Sequence, residues 1–350
     1  MKAVVFAGDR RVEFRDFDDP TPGPGEVVLE IKASGMCGSD LKYYRAAPGE
    51  AAKQLGLGAT GAVIAGHEPC GVVVAVGAGV GEREARIGQR AMVHHYRGCG
   101  VCPHCATGWM QLCDEGVKEI YGATGHGAHA RYMKVPARTL VTLPDALSFE
   151  TGAAISCGTG TAWGALKRLG LTGDQTIAIF GQGPVGLSGT QLAAAMGARV
   201  IALDVSDERL ARAKAFGAEV TINPATTNDV VGAIKQLTHG LGAHATLDAS
   251  SSPEARRHAV QSVRTWGSAC FVGEGGQVTL DVSPDLLRRQ VTLIGSWTFS
   301  TVGQAECATF VADRGIKVDD LFTHRWKLEQ ADEAYKLFDK QTSGKGVFVM

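Results

Sequence analysis

The chain has 350 residues, of which 45% are hydrophobic and 20% charged, and its formal net charge is -1. This length exceeds what one hydrophobic core usually organises, so two domains are expected. The near-neutral charge, without a long run of Lys and Arg, argues against nucleic acid and anionic membranes as partners. The N-terminus lacks a signal-peptide pattern, and no segment approaches the roughly 20 apolar residues of a membrane span, so we expect a soluble cytoplasmic protein.

The first third of the chain is predicted to be β-rich, with Gly and Pro between short strands. Hydrophobic residues at Val27, Leu29, Ile31 and Ala33 alternate with the residues between them, which is the pattern of a half-buried strand. Further strands are predicted at 71–76, 90–94 and 130–135.

Four of the nine cysteines lie close together, at Cys99, Cys102, Cys105 and Cys113. In a reducing compartment an odd number of clustered cysteines favours metal ligation over disulfides. Four thiolates on one short loop suit a tetrahedral zinc with no open position, which is a structural site. Free thiols and an iron–sulfur cluster are the alternatives. The loop would also suit a zinc-ribbon binding module, although that function needs a basic face.

After about residue 156, short apolar segments alternate with helical patterns. Strands are predicted at 176–180, 200–203, 219–222, 245–248 and 268–272. Helices are predicted at 185–196, 207–216, 229–238 and 253–263. This alternation predicts a doubly wound parallel sheet. The tail, from about residue 297, returns to mixed α and β and is expected to fold back on the N-terminal domain.

A glycine-rich turn lies between the first of these strands and the helix that follows. The segment 181–186 reads G-Q-G-P-V-G. Gly181 permits a tight turn, Gly183 lets the backbone approach a pyrophosphate, and Gly186 lets helix and strand come close together. Asp204 ends the next strand, 18 positions after Gly186. Dinucleotide sites carry an acid near this position that accepts hydrogen bonds from the ribose hydroxyls. The alternative is an ordinary glycine turn with an unrelated surface Asp.

Three further residues belong together chemically. Cys37, His67 and Cys157 supply two thiolates and one imidazole, the ligand set of a catalytic zinc whose fourth position is open. Taken singly, each is ordinary, since a lone Cys is more often a small buried residue. The remaining histidines are expected to be core residues, including His94, His95, His104, His126 and His129.

Together these segments resemble the zinc-containing medium-chain dehydrogenase/reductase family, which contains alcohol, polyol and threonine dehydrogenases. The G-x-C-G-x-D segment at 35–40, the G-H-E at 66–68, the four-cysteine loop and the glycine-rich turn occur in the family's order. The resemblance implies an α/β protein with a GroES-like β-rich catalytic domain at 1–157, completed by 296–350. A Rossmann domain with a doubly wound parallel sheet, at 158–295, would be inserted between them.

The resemblance also implies roles for single residues. Cys37, His67 and Cys157 match the catalytic zinc ligands, and the four-cysteine loop matches a structural zinc, giving two Zn²⁺ per chain. Asp40 matches an acid that orients the ligand His, Glu68 matches an acid near the metal, and Ser39 matches the hydroxyl that receives the alcohol proton. Cofactor contacts are expected from Gly181, Gly183, Pro184, Val185, Gly186, Asp204, Arg209, Val272, Gly273, Ser296 and Thr298.

Lys42 departs from the family's pattern. Several relatives carry a His five residues after the first ligand Cys, at the end of the proton relay, and here that position is Lys42. A histidine can take and give a proton at neutral pH, whereas a charged lysine can only donate. We interpret Lys42 as a solvated or phosphate-facing cation, with the proton leaving through Ser39, the ribose and water. The alternative is that Lys42 acts as the terminal base.

The expected function is NAD-linked conversion of an alcohol, secondary or bulky and aromatic, into its ketone or aldehyde. The Asp204 carboxylate would repel the 2′-phosphate of NADP, although Arg209 and Arg199 could soften that preference. The cysteine at position 157 makes the chain resemble the alcohol branch of the family, because the polyol and threonine branches commonly place a carboxylate there. A sugar alcohol or threonine is the alternative substrate. Five aromatic residues are expected either to line a substrate pocket or to belong to the core: Tyr43, Tyr44, Trp109, Trp297 and Phe299. By resemblance, a homodimer or homotetramer is expected.

Overall fold

The computed structural model describes residues 1–48, 50, 62–340 and 344–350, which form two compact units. The first unit comprises Met1–Cys157 and Ser300–Met350, and the second comprises Gly158–Phe299. We expect the inserted domain to end at residue 295, whereas the second unit of the structure ends at Phe299. Among the described residues, no helix has both the length and the apolar character that a membrane span requires.

The N-terminal part of the first unit is mostly β. Its strands are β1 (Lys2–Gly8), β2 (Arg11–Asp16), β3 (Glu26–Gly35), β4 (Glu68–Val76), β5 (Arg90–Val93), β6 (Tyr96–Arg97), β7 (Glu119–Ile120), β8 (Tyr132–Pro136) and β9 (Leu140–Thr142). Its helices are α1 (Asp40–Arg45), α2 (Pro103–Ala106) and α3 (Phe149–Ile155), with 3₁₀ turns at Met110–Leu112 and Ala137–Thr139.

The second unit alternates strand and helix. Its strands are β10 (Thr176–Phe180), β11 (Arg199–Leu203), β12 (Val220–Ile222), β13 (Ala243–Asp248), β14 (Val263–Phe271) and β15 (Thr292–Gly295). Its helices are α4 (Gly158–Leu169), α5 (Pro184–Ala195), α6 (Asp207–Ala215), α7 (Val230–Leu237) and α8 (Pro253–Ser262), followed by short helical turns at Val282–Leu286 and Leu287–Arg289.

The C-terminal segment belongs to the first unit. It contains α9 (Thr301–Asp313), β16 (Phe322–Trp326), α10 (Ala331–Asp339) and β17 (Lys345–Val349), with 3₁₀ turns at Val318–Leu321 and Leu328–Gln330. β17 pairs antiparallel with the end of β3, where Val347 lies opposite Gly35. The last residues of the chain therefore lie beside the segment that follows β3.

The main sheet of the first unit has seven strands in the order β16-β17-β3-β4-β5-β9, with β8 also paired to β3. Its hydrophobic core includes Val27, Leu29, Ile31 and Val73, which are fully buried. The odd-numbered residues of β3 thus face the core, as the alternation predicts. Ser34 on the other face is buried too, with its hydroxyl 2.7 Å from Nδ1 of His129.

The sheet of the second unit has six strands in the order β12-β11-β10-β13-β14-β15, and every pair is parallel. The predicted doubly wound parallel sheet is confirmed. β14 begins earlier than predicted, since Val263 and Ser268 both pair with β13 on either side of an irregular register. The intervening Trp266 has a positive φ of 63° and is 75% exposed. The preceding helix ends at Ser262, and Val263 is already extended.

The glycine-rich turn between β10 and α5 depends on close backbone contact. Gly181 has a φ of 88°, a conformation that glycine adopts without strain. A Cβ on Gly186 would overlap the carbonyl oxygen of Gly181. The third glycine of the motif is therefore needed to bring the helix against the strand.

Replacing Gly186 by Ala should destabilise the protein by about 1–3 kcal/mol, because the added methyl group must push the turn apart. Chemical denaturation of the protein without cofactor measures the change. Gly295→Ala is the matched control, since a Cβ there meets no described atom within 4 Å. Equal loss of stability in the two variants would contradict the proposed role of Gly186.

Candidate active site

Three separate segments of the first unit meet at one place. Cys37 follows the end of β3, His67 directly precedes β4, and Cys157 follows α3. β3 and β4 run antiparallel, with Gly35 opposite Glu68. The end of one strand therefore lies beside the start of the other, which brings Cys37 and His67 together although 30 residues separate them in sequence.

The three side chains have the spacing of a metal site. The sulfurs of Cys37 and Cys157 are 3.8 Å apart, and Nε2 of His67 is 3.5 Å from the Cys157 sulfur. Their donor atoms, with one carboxylate oxygen of Glu68, all lie within 4.8 Å of one another. Two sulfurs bound to a tetrahedral zinc at about 2.3 Å would lie about 3.8 Å apart. The residues therefore fit a zinc ion held by two thiolates and one imidazole.

Asp40 fixes the orientation of His67. Nδ1 of His67 donates to Oδ1 of Asp40 at 2.8 Å, which leaves Nε2 facing the two sulfurs. The other carboxylate oxygen of Asp40 accepts from the backbone N–H of Cys37 at 2.9 Å. Asp40 is fully buried at the start of α1. One carboxylate thus links two of the three donor residues.

The side chains of this cluster shift one another's pKa values. A hydrogen bond from Cys157 and the charges of His67 and Lys345 hold the pKa of Cys37 well below that of an ordinary thiol. The same hydrogen bond, with burial, raises the pKa of Cys157 well above it. Burial opposes charge on His67, but Asp40 and Cys37 raise its pKa well above the usual value. The hydrogen bond between the two thiols thus shifts their pKa values in opposite directions.

Ser39 lies at the edge of the donor set. Its hydroxyl is 3.3 Å from the Cys37 sulfur and 3.2 Å from Nε2 of His67. Lys42 lies one turn further along, where its backbone N–H donates to the carbonyl of Ser39 at 3.1 Å. The side chain of Lys42 is exposed. The hydroxyl therefore lies beside the donor atoms, whereas the lysine lies on the surface of the unit.

Glu68 is held by a residue that sequence reasoning missed. The ammonium of Lys345, at the start of β17, donates to Oε1 of Glu68 at 2.8 Å and to the Met36 carbonyl at 3.1 Å. Lys345 is 2% exposed and Glu68 is fully buried. Burial raises the pKa of Glu68 to about 7, although the charge of Lys345 opposes that shift. No local sequence signal marks this lysine, because only the pairing of β17 with β3 brings it here.

The four cysteines of the 99–113 loop form a second cluster. Their sulfurs all lie within 4.8 Å of one another, and two pairs are 4.0 Å apart. Backbone N–H groups point at the sulfurs, including that of Cys102 at 3.3 Å from the Cys99 sulfur. Backbone hydrogen bonds lower the pKa of Cys102 to about 6. The donor set fits a closed tetrahedral zinc with no side chain left out.

The expected cofactor residues of the second unit lie at the carboxyl ends of its parallel strands, the edge where such sheets bind dinucleotides. A Cβ on Gly183 would meet no described atom within 4 Å, so this backbone can be approached closely. Oδ2 of Asp204 accepts from the Gln182 N–H at 2.6 Å, and Oδ1 accepts from the Ser206 N–H at 2.9 Å. The carboxylate is thus fixed beside the glycine-rich turn.

The other expected contacts occupy the same edge. Val272 and Gly273 follow β14, and both backbone N–H groups donate to the Asp248 carbonyl. Ser296 and Thr298 follow β15 and are buried. The remaining three lie on the helices that begin at this edge: Pro184 and Val185 open α5, and Arg209 lies in α6 with its guanidinium 3.7 Å from Asp204. The positions fit a dinucleotide laid along the strand ends.

The structure gives the burial of the aromatic residues and histidines whose roles the sequence leaves open. Tyr44 and Phe299 are core residues at 1% exposure, whereas Trp297 is 45% exposed; Tyr43 and Trp109 are partly buried. The expectation that the remaining histidines lie in the core holds for His94, His95 and His129. It is wrong for His104, which is exposed on the short helix α2, and for His126, which is exposed outside the named strands and helices.

Comparison with known proteins covers both units. Residues 23–145 match the family model of the alcohol dehydrogenase GroES-like domain, and residues 184–314 match that of the zinc-binding dehydrogenases. An uncharacterized zinc-type alcohol dehydrogenase-like protein, YphC of Escherichia coli, is 40% identical over 99% of this chain and 98% of its own.

Two further similarities are informative. An L-threonine 3-dehydrogenase of Symbiobacterium thermophilum is 31% identical over 94% of this chain and 92% of its own. The structure of acetophenone reductase from Geotrichum candidum in complex with NAD superposes with a TM-score of 0.83 at 28% identity. That superposition covers 100% of this chain and 97% of the other.

The two cysteine clusters should respond differently to substitution. Cys105→Ser should lose one zinc per chain and much of the thermal stability, because a closed site contributes folding energy directly. Cys37→Ser should abolish turnover with little change in melting temperature. Metal analysis and thermal melting of both variants check this. Fewer than two zinc ions per chain in freshly purified wild-type protein would contradict it.

Proposed function

Because the chain belongs to the zinc-containing medium-chain dehydrogenase/reductase family and is therefore an oxidoreductase, we propose that it interconverts an alcohol and its ketone or aldehyde with NAD. The observation that carries the proposal is the convergence of Cys37, His67 and Cys157 at metal-ligand spacing. Two thiolates and one imidazole leave a fourth position for the oxygen of a substrate.

The proposal includes two zinc ions with different roles. A zinc at Cys37, His67 and Cys157 would supply Lewis-acid polarisation of the substrate oxygen, while NAD would accept the hydride. Asp40 holds the ring of His67 so that Nε2 faces the two sulfurs. The four-cysteine loop would hold the second ion, which stabilises the fold and takes no part in the chemistry.

Ser39 is the proposed group for proton transfer. Its Oγ lies beside both the Cys37 sulfur and Nε2 of His67, so a substrate oxygen bound next to these atoms would be within reach of the hydroxyl. Lys42 is exposed, and we keep the interpretation that it is a solvated or phosphate-facing cation rather than the terminal base. The proton would leave through Ser39, the cofactor ribose and water.

The preference for NAD rests on Asp204. Two backbone N–H groups hold its carboxylate beside the glycine-rich turn, where it can accept from the two hydroxyls of a ribose. The same charge would repel a 2′-phosphate. Arg209 lies close enough to weaken that repulsion without removing it.

The proposed substrate is a secondary or bulky, aromatic alcohol. The thiolate of Cys157 in the donor set and the similarity to acetophenone reductase favour this class. A threonine-type or polyol substrate is the second candidate, favoured by the similarity to a threonine dehydrogenase. Measuring NAD reduction with primary, secondary, aromatic and polyhydroxy alcohols and with threonine tests the proposal, and no activity on any of them would refute it.

The assembly and the compartment are also proposals. β15 forms the edge of the parallel sheet, and its Leu293 is 42% exposed; this edge suits pairing with a second copy in a homodimer or homotetramer. All nine cysteines are free thiols, which suits the reducing cytoplasm. The zinc-ribbon alternative is dropped, because the dehydrogenase models match both units.

Ser39→Ala should lower kcat by about 100-fold or more, the usual scale of acid–base assistance. Lys42→Ala should mainly raise KM for NAD. The measurement is kcat against pH for the wild type and both variants. If Lys42→Ala removes an ionisation from the profile and lowers kcat as much as Ser39→Ala does, the lysine is the base and Ser39 is not the last protein group in the relay.

Asp204→Ala should narrow the preference for NAD over NADP, because it removes the acceptor for the ribose hydroxyls and the charge that repels the 2′-phosphate. The ratio of kcat/KM for the two cofactors measures this. Asp207→Ala, on the exposed first turn of α6, is a matched control that removes a nearby charge. A wild-type enzyme that prefers NADP would contradict the assignment.

A further inference from the structure

A chain of buried hydrogen bonds runs from the metal-ligand cluster into the core of the first unit. The hydroxyl of Tyr335 lies 3.4 Å from Oδ2 of Asp40 and 2.7 Å from Nε2 of His129. Nδ1 of His129 lies 2.7 Å from the hydroxyl of Ser34. Ser34, His129, Tyr335 and Asp40 are each 0% exposed.

The direction of the hydrogen bonds follows from the donors that each group has. Oδ2 of Asp40 already accepts from the Cys37 N–H, and the Tyr335 hydroxyl donates to the same oxygen. The oxygen of Tyr335 then accepts from Nε2 of His129, and Nδ1 of His129 accepts from the Ser34 hydroxyl. Burial lowers the pKa of His129 to about 4, so its ring is neutral and carries the single proton that this order requires. Every proton in the chain therefore points toward Asp40.

The same residues touch the ligand segment a second time. The ring of His129 lies against Gly66, whose φ is 87°, and a Cβ at that position would overlap the ring. Gly66 directly precedes His67. Tyr335 is held in turn by edge-on contact with Phe6, at 4.8 Å between ring centroids, and by Tyr44 at 5.5 Å. The aromatic cluster thus fixes the Tyr335 hydroxyl in place.

We propose that Tyr335 is a positioning residue for the metal centre, whose hydroxyl, held by His129 and Ser34, orients the Asp40 carboxylate that holds His67. This inference rests on the proposed function, since it needs an ion at Cys37, His67 and Cys157. Two donors, the Cys37 N–H and the Tyr335 hydroxyl, hold Oδ2 of Asp40, so that Oδ1 stays with Nδ1 of His67.

The test measures how fast the zinc-loaded protein loses its catalytic-site ion to a coloured chelator. The release that is missing in Cys37→Ser is assigned to this site. Tyr335→Phe keeps the ring and removes only the hydroxyl, and it should speed this loss about 10-fold, the low end for outer-shell partners of metal ligands. The cobalt-substituted variant should show a shifted visible spectrum. Loss from the four-cysteine loop should not change.

Tyr121→Phe is the matched control, because it removes another buried hydroxyl of the same unit that lies outside this chain of hydrogen bonds. If both variants release the ion at the wild-type rate with an unchanged cobalt spectrum, the proposed role of Tyr335 is wrong while the metal site stands. If the wild-type protein holds no ion at Cys37, His67 and Cys157, the proposed function fails and this inference fails with it.

A second pair of variants guards against a packing effect. His129→Gln keeps an N–H donor for Tyr335, whereas His129→Leu removes it. The Gln variant should release the catalytic-site ion at a rate nearer to the wild type than the Leu variant. Equal rates in the two would show that His129 acts by filling space and would overturn its place in the chain of hydrogen bonds.

Discussion

The structure of the first unit is organised around buried negative charge. The carboxyl groups of Glu68 and Asp40 are fully buried, beside the half-buried thiols of Cys37 and Cys157. Isolated charges are very costly in such a place unless they are paired. Lys345 compensates Glu68, and His67 bonds to Asp40. The donor atoms of Cys37, His67 and Cys157 beside these pairs fit a divalent cation.

This constraint explains why the donor residues stand at the ends of regular elements. Cys37 follows a strand, His67 precedes its antiparallel neighbour, and Cys157 follows a short helix. Strand ends are where the backbone changes direction, so side chains there can converge without distorting the ladder. The pairing of β17 with β3 then delivers Lys345 to the same point. The precision of the cluster is therefore a property of the sheet and its register.

The parts that could be predicted from sequence are those with local patterns. The alternation in β3, the glycine-rich turn and the cysteine spacing can each be recognised within a few neighbouring residues. Lys345, Tyr335 and His129 could not be found this way. Lys345 lies in an apolar segment where a lysine is expected at the surface, and it is buried only because Glu68 faces it across the sheet. Tyr335 and His129 are separated by 206 residues, so no window contains both.

The same contrast separates the two cysteine clusters. The sulfurs of the 99–113 loop come from one continuous segment, so the loop can close around an ion with little help from the rest of the chain. The cluster at Cys37, His67 and Cys157 exists only when the sheet has formed. Two of its three donor residues, Cys37 and His67, are held by Asp40 rather than by their own loop. A site assembled by tertiary structure can keep one position open because the fold, and not the ion, maintains its shape. That is the physical requirement for chemistry at a metal, and the locally closed site does not meet it.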